Sequence, residues 1–426
     1  MSTQLPTDMD RFLAPLERRG SRFYGIVIVT AILAVVGIAA WLIEVTGGHV
    51  TNLGNWGTSA GVPWGLDIGA FGWWTGIAIG ALLLAAAIRV LRIDSYLGFA
   101  RVGEFLAPLA FLASFLHILY DLGRPGRVVN TVLYPQLQSP LFWDIVLVGG
   151  LVVLSVVFLV VTVREDVSRL VAEGNLDDNG LHGWLAGTPA QRERSAASRW
   201  IAGIILAFVP VVGGGLVPWA WSQLGVNMNW FGAVQGPEFL LMSLTSGFAM
   251  VLLAAGVLRV VYGWSSVFSD RRLAVLGGVT AGVGFFYLVA ALFAIQSGSF
   301  AASMAPSNVA SAMTAGPLST MMLLAIAAIA IPAVVLAVQI ASDTYNRTAT
   351  LLSSVVLLVG ILGMETVLVV GGLTYPEMLY PVSEYVPSLA EWAHVIGTVS
   401  LVVLGFVVLS KLLPLVPVGT VEQAGE

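Results

Sequence analysis

Apolar residues run along this chain in long blocks, broken by short polar joints and by joints rich in glycine and proline. Ten blocks occur, at about 24–44, 64–90, 102–122, 141–163, 200–223, 237–262, 273–297, 317–340, 349–371 and 389–413. Each holds roughly 21–27 residues, enough for a tilted helix to cross a bilayer core of about 30 Å. The pattern predicts an all-α polytopic membrane protein of about ten transmembrane helices. The first block follows a basic tail, Arg18-Arg19-Gly-Ser-Arg22. It is too long for the apolar region of a signal peptide and no clear cleavage site follows, so it is read as a retained helix.

A weak internal repeat divides the blocks. Block two opens with Pro63 in Gly61-Val-Pro-Trp-Gly-Leu66, and block six with Pro237 in Gly236-Pro-Glu-Phe-Leu240. Each then carries a stripe of small residues: Gly65, Gly69, Gly72, Gly76 and Gly80 in the first, Ser243, Ser246 and Gly247 with Met250 in the second. Such spacing brings helices close together. Four blocks separate the two starts, so both point the same way. The expected organisation is two parallel four-helix bundles, 63–223 and 224–371. Residues 1–62 add a tail and the first helix, and residues 372–426 the last helix and a short tail.

Charge sets the expected orientation. With both termini in the cytoplasm, all but two of the 19 basic residues fall inside, so the chain reads as a multi-pass protein of the cytoplasmic membrane. The exceptions, Arg124 and Arg127, share one outer segment, His117-Ile-Leu-Tyr-Asp121-Leu-Gly-Arg124-Pro-Gly-Arg127. The inner loop at 164–199 is polar and expected to be flexible. Outer loops carry Asn52–Gly57, Asn227–Trp230 and Tyr375–Pro381, rich in aromatics, glycine and proline, which suits an interfacial belt or a docking surface.

Composition agrees with the pattern: 58% hydrophobic, 10% charged, mean hydropathy +0.91. The absence of cysteine removes thiolate ligation, disulfides and catalytic thiols. No phosphate-binding loop, nucleophile triad or metal-ligand cluster is legible, and no basic cluster points to nucleic acid.

Ionisable residues inside spans are costly, about 2.5–3.5 kcal/mol each on insertion scales, and therefore mark function. Here they are Glu44, Asp67, Glu104, His117, Asp121, Asp144, Glu238, Glu365, Glu391 and His394, most of them toward the outer face. His117 and Asp121 lie four apart, on one helix face, with Arg124 three residues further on. They form a candidate proton-handling pair, with Arg124 holding the carboxylate ionised. An ordinary helix stop at Gly123 and Pro125 accounts for the same residues. Two histidines on different helices, His117 and His394, also admit a heme reading, although four histidines in all leave little for heme chemistry. Trp64, Trp73, Trp74, Phe71, Trp143 and Tyr120 surround the same outer region, as an aromatic belt or as walls for a flat ring. Glu104, Asp144, Glu365 and His394 are weaker candidates for a proton path.

Several of these segments resemble the NrfD/PsrC family, the membrane subunits of polysulfide-reductase-type and alternative complex III-type redox assemblies. The resemblance rests on Gly61-Val-Pro-Trp-Gly-Leu-Asp67 leading into Phe71-Gly-Trp-Trp-Thr-Gly76, and on Ser139-Pro-Leu-Phe-Trp-Asp144. Gly236-Pro-Glu-Phe-Leu-Leu-Met-Ser-Leu-Thr-Ser-Gly247 adds to it, and Asp121-Leu-Gly-Arg-Pro125 is the most specific element. It covers about 61–371. The resemblance implies a non-covalently bound quinone, menaquinone or ubiquinone, near the outer face. It implies no heme or iron–sulfur cluster in this chain, an iron–sulfur subunit docked outside, and catalytic or cytochrome subunits beyond it. His117 and Asp121 are then the proton-handling residues at the quinone, with Arg124, Asp67, Trp64 and Tyr120 around it. A sister subunit that relays protons without quinone, and a secondary transporter with parallel repeats, are the alternatives.

Overall fold

The computed structural model describes residues 9–17, 20–47, 50–51, 54–55, 64–187, 197–218, 234–299, 310–311, 313–316, 318–373 and 385–418. Among them ten helices are long and apolar enough to span a membrane. A short helix, α1 (Met9–Glu17), precedes α2 (Ser21–Gly47), α3 (Leu66–Val90), α4 (Leu97–Asp121) and α5 (Pro140–Ala172). Then come α6 (Ala197–Val211), α7 (Gln235–Tyr262), α8 (Asp270–Ser299), α9 (Ser319–Ala341), α10 (Arg347–Leu373) and α11 (Leu389–Leu412). The one strand ladder among the described residues pairs Val50–Thr51 with Gly54–Asn55.

Two helices differ from the sequence expectation. α5 continues past 163 to Ala172, because Asp166, Val167 and Leu170 of the expected loop are buried. α6 is shorter than its block and passes into a π-helical stretch, Val212–Leu216. Pro210 has no N–H to give, and Gly213-Gly-Gly215 tolerates the widened turn. The outer segments at 52–53, 56–57, 227–230 and 375–381 lie outside the described residues.

In the first half α3 touches α4, α4 touches α5, α5 touches α6, and α6 returns to α3. In the second, α7, α8, α9 and α10 contact one another in the same order, with α10 returning to α7. The halves meet where α3 lies against α7 and α10, while α2 and α11 pair with each other, and α11 also rests on α4. α3 is the axis: its most apolar 18 residues are 89% buried, against 11% for α2. The face of α2 that carries Ile28, Ile32 and Val35 is exposed and suits lipid. α1 docks on α11, where Lys411 Nζ donates to the Pro15 carbonyl at 2.5 Å. The first described helix and the end of the last one therefore meet on one face, the terminal face.

Glycine sets the spacing of these contacts. A Cβ at Gly80 of α3 would run into the Ser243 carbonyl of α7, and one at Gly69 would lie 2.6 Å from Thr366 Oγ1 of α10. A Cβ at Gly37 of α2 would lie 2.8 Å from the Ala393 carbonyl of α11. Gly80→Ala is expected to lower stability by about 1–3 kcal/mol through overpacking. Gly282→Ala, on an exposed face with nothing within 4 Å, is expected to be neutral or to gain up to about 1 kcal/mol. Thermal melts of the two variants in one detergent test the contrast, and equal melting temperatures would contradict it.

Candidate functional site

The polar residues of α2, α3, α4 and α11 converge at the ends of these helices opposite the terminal face. Asp67, in the first turn of α3, is fully buried. His117 approaches it from α4, with Nδ1 2.9 Å from Asp67 Oδ1. His394 approaches from α11, with Nδ1 3.0 Å from Asp67 Oδ2 and 3.2 Å from Oδ1. One carboxylate thus holds two imidazoles. The other nitrogen of His117 lies 2.9 Å from Thr398 Oγ1. The Thr398 hydroxyl also lies 3.0 Å from the His394 carbonyl oxygen, so it bridges that carbonyl and His117 Nε2. Both nitrogens of His117 therefore have partners, Asp67 on one side and Thr398 on the other. His117 has no nitrogen left for an iron, which removes the geometric basis for a heme shared with His394.

Aromatic rings fix the imidazoles. Tyr120 stacks on His394 with centroids 4.4 Å apart, and meets His117 edge-on at 5.7 Å. Trp41 of α2 packs on the far side of Tyr120 at 6.0 Å. Glu391 organises the entry of both helices. Its Oε2 accepts from Ser388 N–H at 2.7 Å, and its own N–H donates to Ser388 Oγ at 3.2 Å, a capping box on α11. Its Oε1 also accepts from the first N–H of α3, at Leu66 (3.0 Å), and from the Tyr385 hydroxyl (2.9 Å). That hydroxyl accepts from Leu66 N–H at 2.7 Å. Gly65 lets this happen, because a Cβ there would collide with Glu391 Oε1. Burial and the Glu391 charge push the Tyr385 hydroxyl well above its usual value, so it stays a donor.

Four polar atoms around this core are buried and have no hydrogen-bond partner: His394 Nε2, Glu44 Oε2, Asp121 Oδ1 and Trp41 Nε1. His394 Nε2 and Glu44 Oε2 face each other at 3.6 Å, too far for a hydrogen bond. A ligand oxygen able both to accept and to donate matches that donor and acceptor set, and a quinone carbonyl that becomes a quinol hydroxyl is such an oxygen.

The expected His117–Asp121 pair is not formed, since the ring nitrogens of His117 go to Asp67 and Thr398. Asp121 is buried at the end of α4, among the carboxyl groups of Asp67, Glu391 and Glu44. Arg124 is exposed, ahead of the turn Pro125–Arg127, and makes no ion pair with Asp121. Trp64 is half-buried just before α3, and Asp144 is buried in the first turns of α5. Glu365 of α10 belongs to a second cluster: it accepts from the Tyr287 hydroxyl at 3.2 Å, and buried Glu238 of α7 lies near it. Glu104 is 13 residues below His117 on α4, about 20 Å away. There Arg89 Nε (2.5 Å), Arg101 Nε (3.2 Å) and Thr162 Oγ1 (2.8 Å) hold it. Asp166 binds Arg101 from the other side and accepts from Val418 N–H at 3.1 Å.

Sequence reasoning noted Glu44 and Glu391 only as polar residues bordering spans, and gave no role to Thr398 or Tyr385. The spacing of His394 and Thr398, four apart on one helix, was a signal available for the latter. Removing the Tyr385 hydroxyl tests the entry network. Tyr385→Phe is expected to cost about 1–2 kcal/mol and to speed amide exchange in the first turn of α3. Unchanged exchange at 66–69 by mass spectrometry would show that Glu391 alone caps that helix.

The signature of the polysulphide reductase NrfD family matches residues 54–377, about three quarters of the chain. The chain is 24% identical over 430 positions to the Hdr-like menaquinol oxidoreductase integral membrane subunit of Archaeoglobus fulgidus, covering 96% of this chain and 98% of that one. It is 28% identical over 227 residues to a protein of Halobacterium salinarum named for the membrane subunit of a dimethyl sulfoxide reductase, with 53% of this chain and 50% of that one aligned. It is also 26% identical over 239 residues to a selenate reductase subunit of Mesobacillus selenatarsenatis, with 53% and 54% aligned. The chain therefore spans about half the length of these last two relatives and nearly all of the first. Ten apolar helices, a carboxylate–imidazole cluster at one end of them and a signature over most of the length agree: the chain belongs to the NrfD polysulphide reductase family of integral membrane subunits.

Proposed function

We propose that this chain is the quinone-reactive membrane subunit of a respiratory oxidoreductase, exchanging electrons with an iron–sulfur subunit on the face opposite the termini. The observation that carries the reading is the unpartnered pair His394 Nε2 and Glu44 Oε2 beside the Asp67-bridged imidazoles. A bound quinone supplies a couple of two electrons and two protons. The chain supplies the rest. His394 Nε2 and Glu44 Oε2 would hold one oxygen of the ring, the imidazole as donor and the carboxyl group as acceptor. Asp67 keeps a proton within reach of both histidines, and His117 passes it between Asp67 and Thr398. Asp121, with its unpartnered Oδ1, exchanges protons with the outer solution. Tyr120 and Trp41 hold the imidazole planes. The name of the full-length relative favours a menaquinol-type quinone.

With no cysteine the chain offers no thiolate for a cluster, so the electron partner is a separate subunit. Exposed Arg124 and Arg127 are then part of its landing site. The terminal face is the cytoplasmic one, on the distribution of basic residues. The chain reduces no terminal substrate itself; that belongs to further subunits.

A second reading is favoured by the Glu238, Glu365 and Tyr287 cluster, which repeats a buried acid at the start of α7 where Asp67 stands at the start of α3. It makes the chain a proton-relaying sister subunit without quinone.

The complex purified with its partners separates the two. His394→Ala and Glu44→Gln are each expected to lower extractable quinone about tenfold or more, with the partner subunits retained. Glu365→Gln is expected to leave it unchanged. Quinone content unaffected by both site variants would sink the first reading and leave the relay.

A further inference from the structure

A cleft of about 640 Å³ opens between the α2–α11 pair and the α7–α10 pair, with α3 and α4 as its floor. Along α7 it runs from Met250 to Tyr262, twelve residues or about 18 Å. That is close to the depth of one leaflet, half of a core of about 30 Å. Its inner end, toward mid-membrane, lies at Trp73 and Trp74, which are buried, and its outer end, the mouth, is at the terminal face. Its walls are almost wholly apolar, and a crevice of this kind in a bilayer is filled by an amphiphile. The mouth is different. Arg22 and Lys411 both line it, beside Ser410. Arg22 is exposed and makes no ion pair with any described residue. Arg18 and Arg19 precede it in the sequence.

We infer that this cleft is a binding site for an anionic diacyl phospholipid of the leaflet at the terminal face, with an acyl chain along α7 and α11 and its phosphate at Arg22 and Lys411. Basic groups where transmembrane helices meet the cytoplasmic interface favour acidic headgroups. An uncharged quinone is the competing occupant. It would enter ring-first and offer its carbonyls to the indole N–H groups of Trp73 and Trp74, which have no hydrogen-bond partner. The cations at the mouth do nothing for such a ligand, and they select the phospholipid. The inference does not depend on the quinone reading of the Asp67 cluster, which lies beyond the inner end.

The test is native mass spectrometry of the full chain in mild detergent. Phosphatidylglycerol and phosphatidylethanolamine with matched chains are added in equal amounts. The expected result is phosphatidylglycerol adducts in about tenfold excess. Arg22→Gln with Lys411→Gln should bring the two lipids to parity. Ala254→Phe, which narrows the cleft, should remove adducts of both. If the double variant loses its native elution profile, Arg22→Gln alone decides, and it should reduce the excess about threefold or more. Equal adducts on the unaltered protein would overturn the proposal. So would an excess that survives loss of the cations, or displacement of phosphatidylglycerol by an added quinone that phosphatidylethanolamine does not match.

Discussion

Asp67 lies where helices from opposite ends of the chain converge, and its carboxylate is shared by two imidazoles, one of them 327 residues away in sequence. A carboxylate with no exposure inside a bilayer is tolerable only with partners that compensate its lost hydration. Here the partners come from α4 and α11, so the anion and the tertiary arrangement require each other. Displacing α11 would take the His394 imidazole from Asp67 and leave His394 without its partner on α3. The same carboxylate that stabilises the arrangement also makes it able to hold and move a proton.

Close approach of the helices makes that sharing possible. Gly37 of α2 lies against Ala393 and Gly397 of α11, which brings Glu44 to within 3.6 Å of His394. Gly65 opens the first turn of α3 to Glu391, so one carboxylate caps its own helix and its neighbour. Small residues act here less as packing filler than as the reason polar groups on different helices reach each other.

The two membrane faces treat their charges in opposite ways. Near the terminal face, Glu104 and Asp166 are matched by Arg89 and Arg101, and the amide of Val418 closes the network. Opposite charges in contact hold this end together, although Arg89 Nη2, Arg101 Nε and Arg101 Nη1 are buried without a hydrogen-bond partner. At the other end, carboxyl groups outnumber cations, and Glu44, Asp121 and His394 keep buried atoms without partners. Unpartnered atoms cost stability at either end, but here they sit on carboxyl and imidazole groups, which can meet a ligand or a moving proton. This asymmetry supports the proposed division between a scaffold end and a reactive end.

The ten spans were legible in the sequence because crossing a bilayer imposes a length and a composition on each segment independently of all others. The family was legible because a short motif such as Asp121-Leu-Gly-Arg-Pro125 is a contiguous string that can be read without the fold. The inward set of polar residues was legible for the same reason, since each is costly on its own helix. Their pairing was not. Spacing along α4 favours His117 with Asp121, yet a partner on another helix wins when glycine lets the backbones close in. Glu104 looked like a relay group because Arg89, 15 residues before it, meets it only when α3 and α4 fold together, adding to Arg101 on the same helix. The extra turns of α5 were hidden too, because a polar loop and a helix buried by its neighbours share one composition. Hydrophobicity is a property of the segment and can be read from it; a hydrogen bond between helices belongs to their mutual placement, which only the tertiary structure decides.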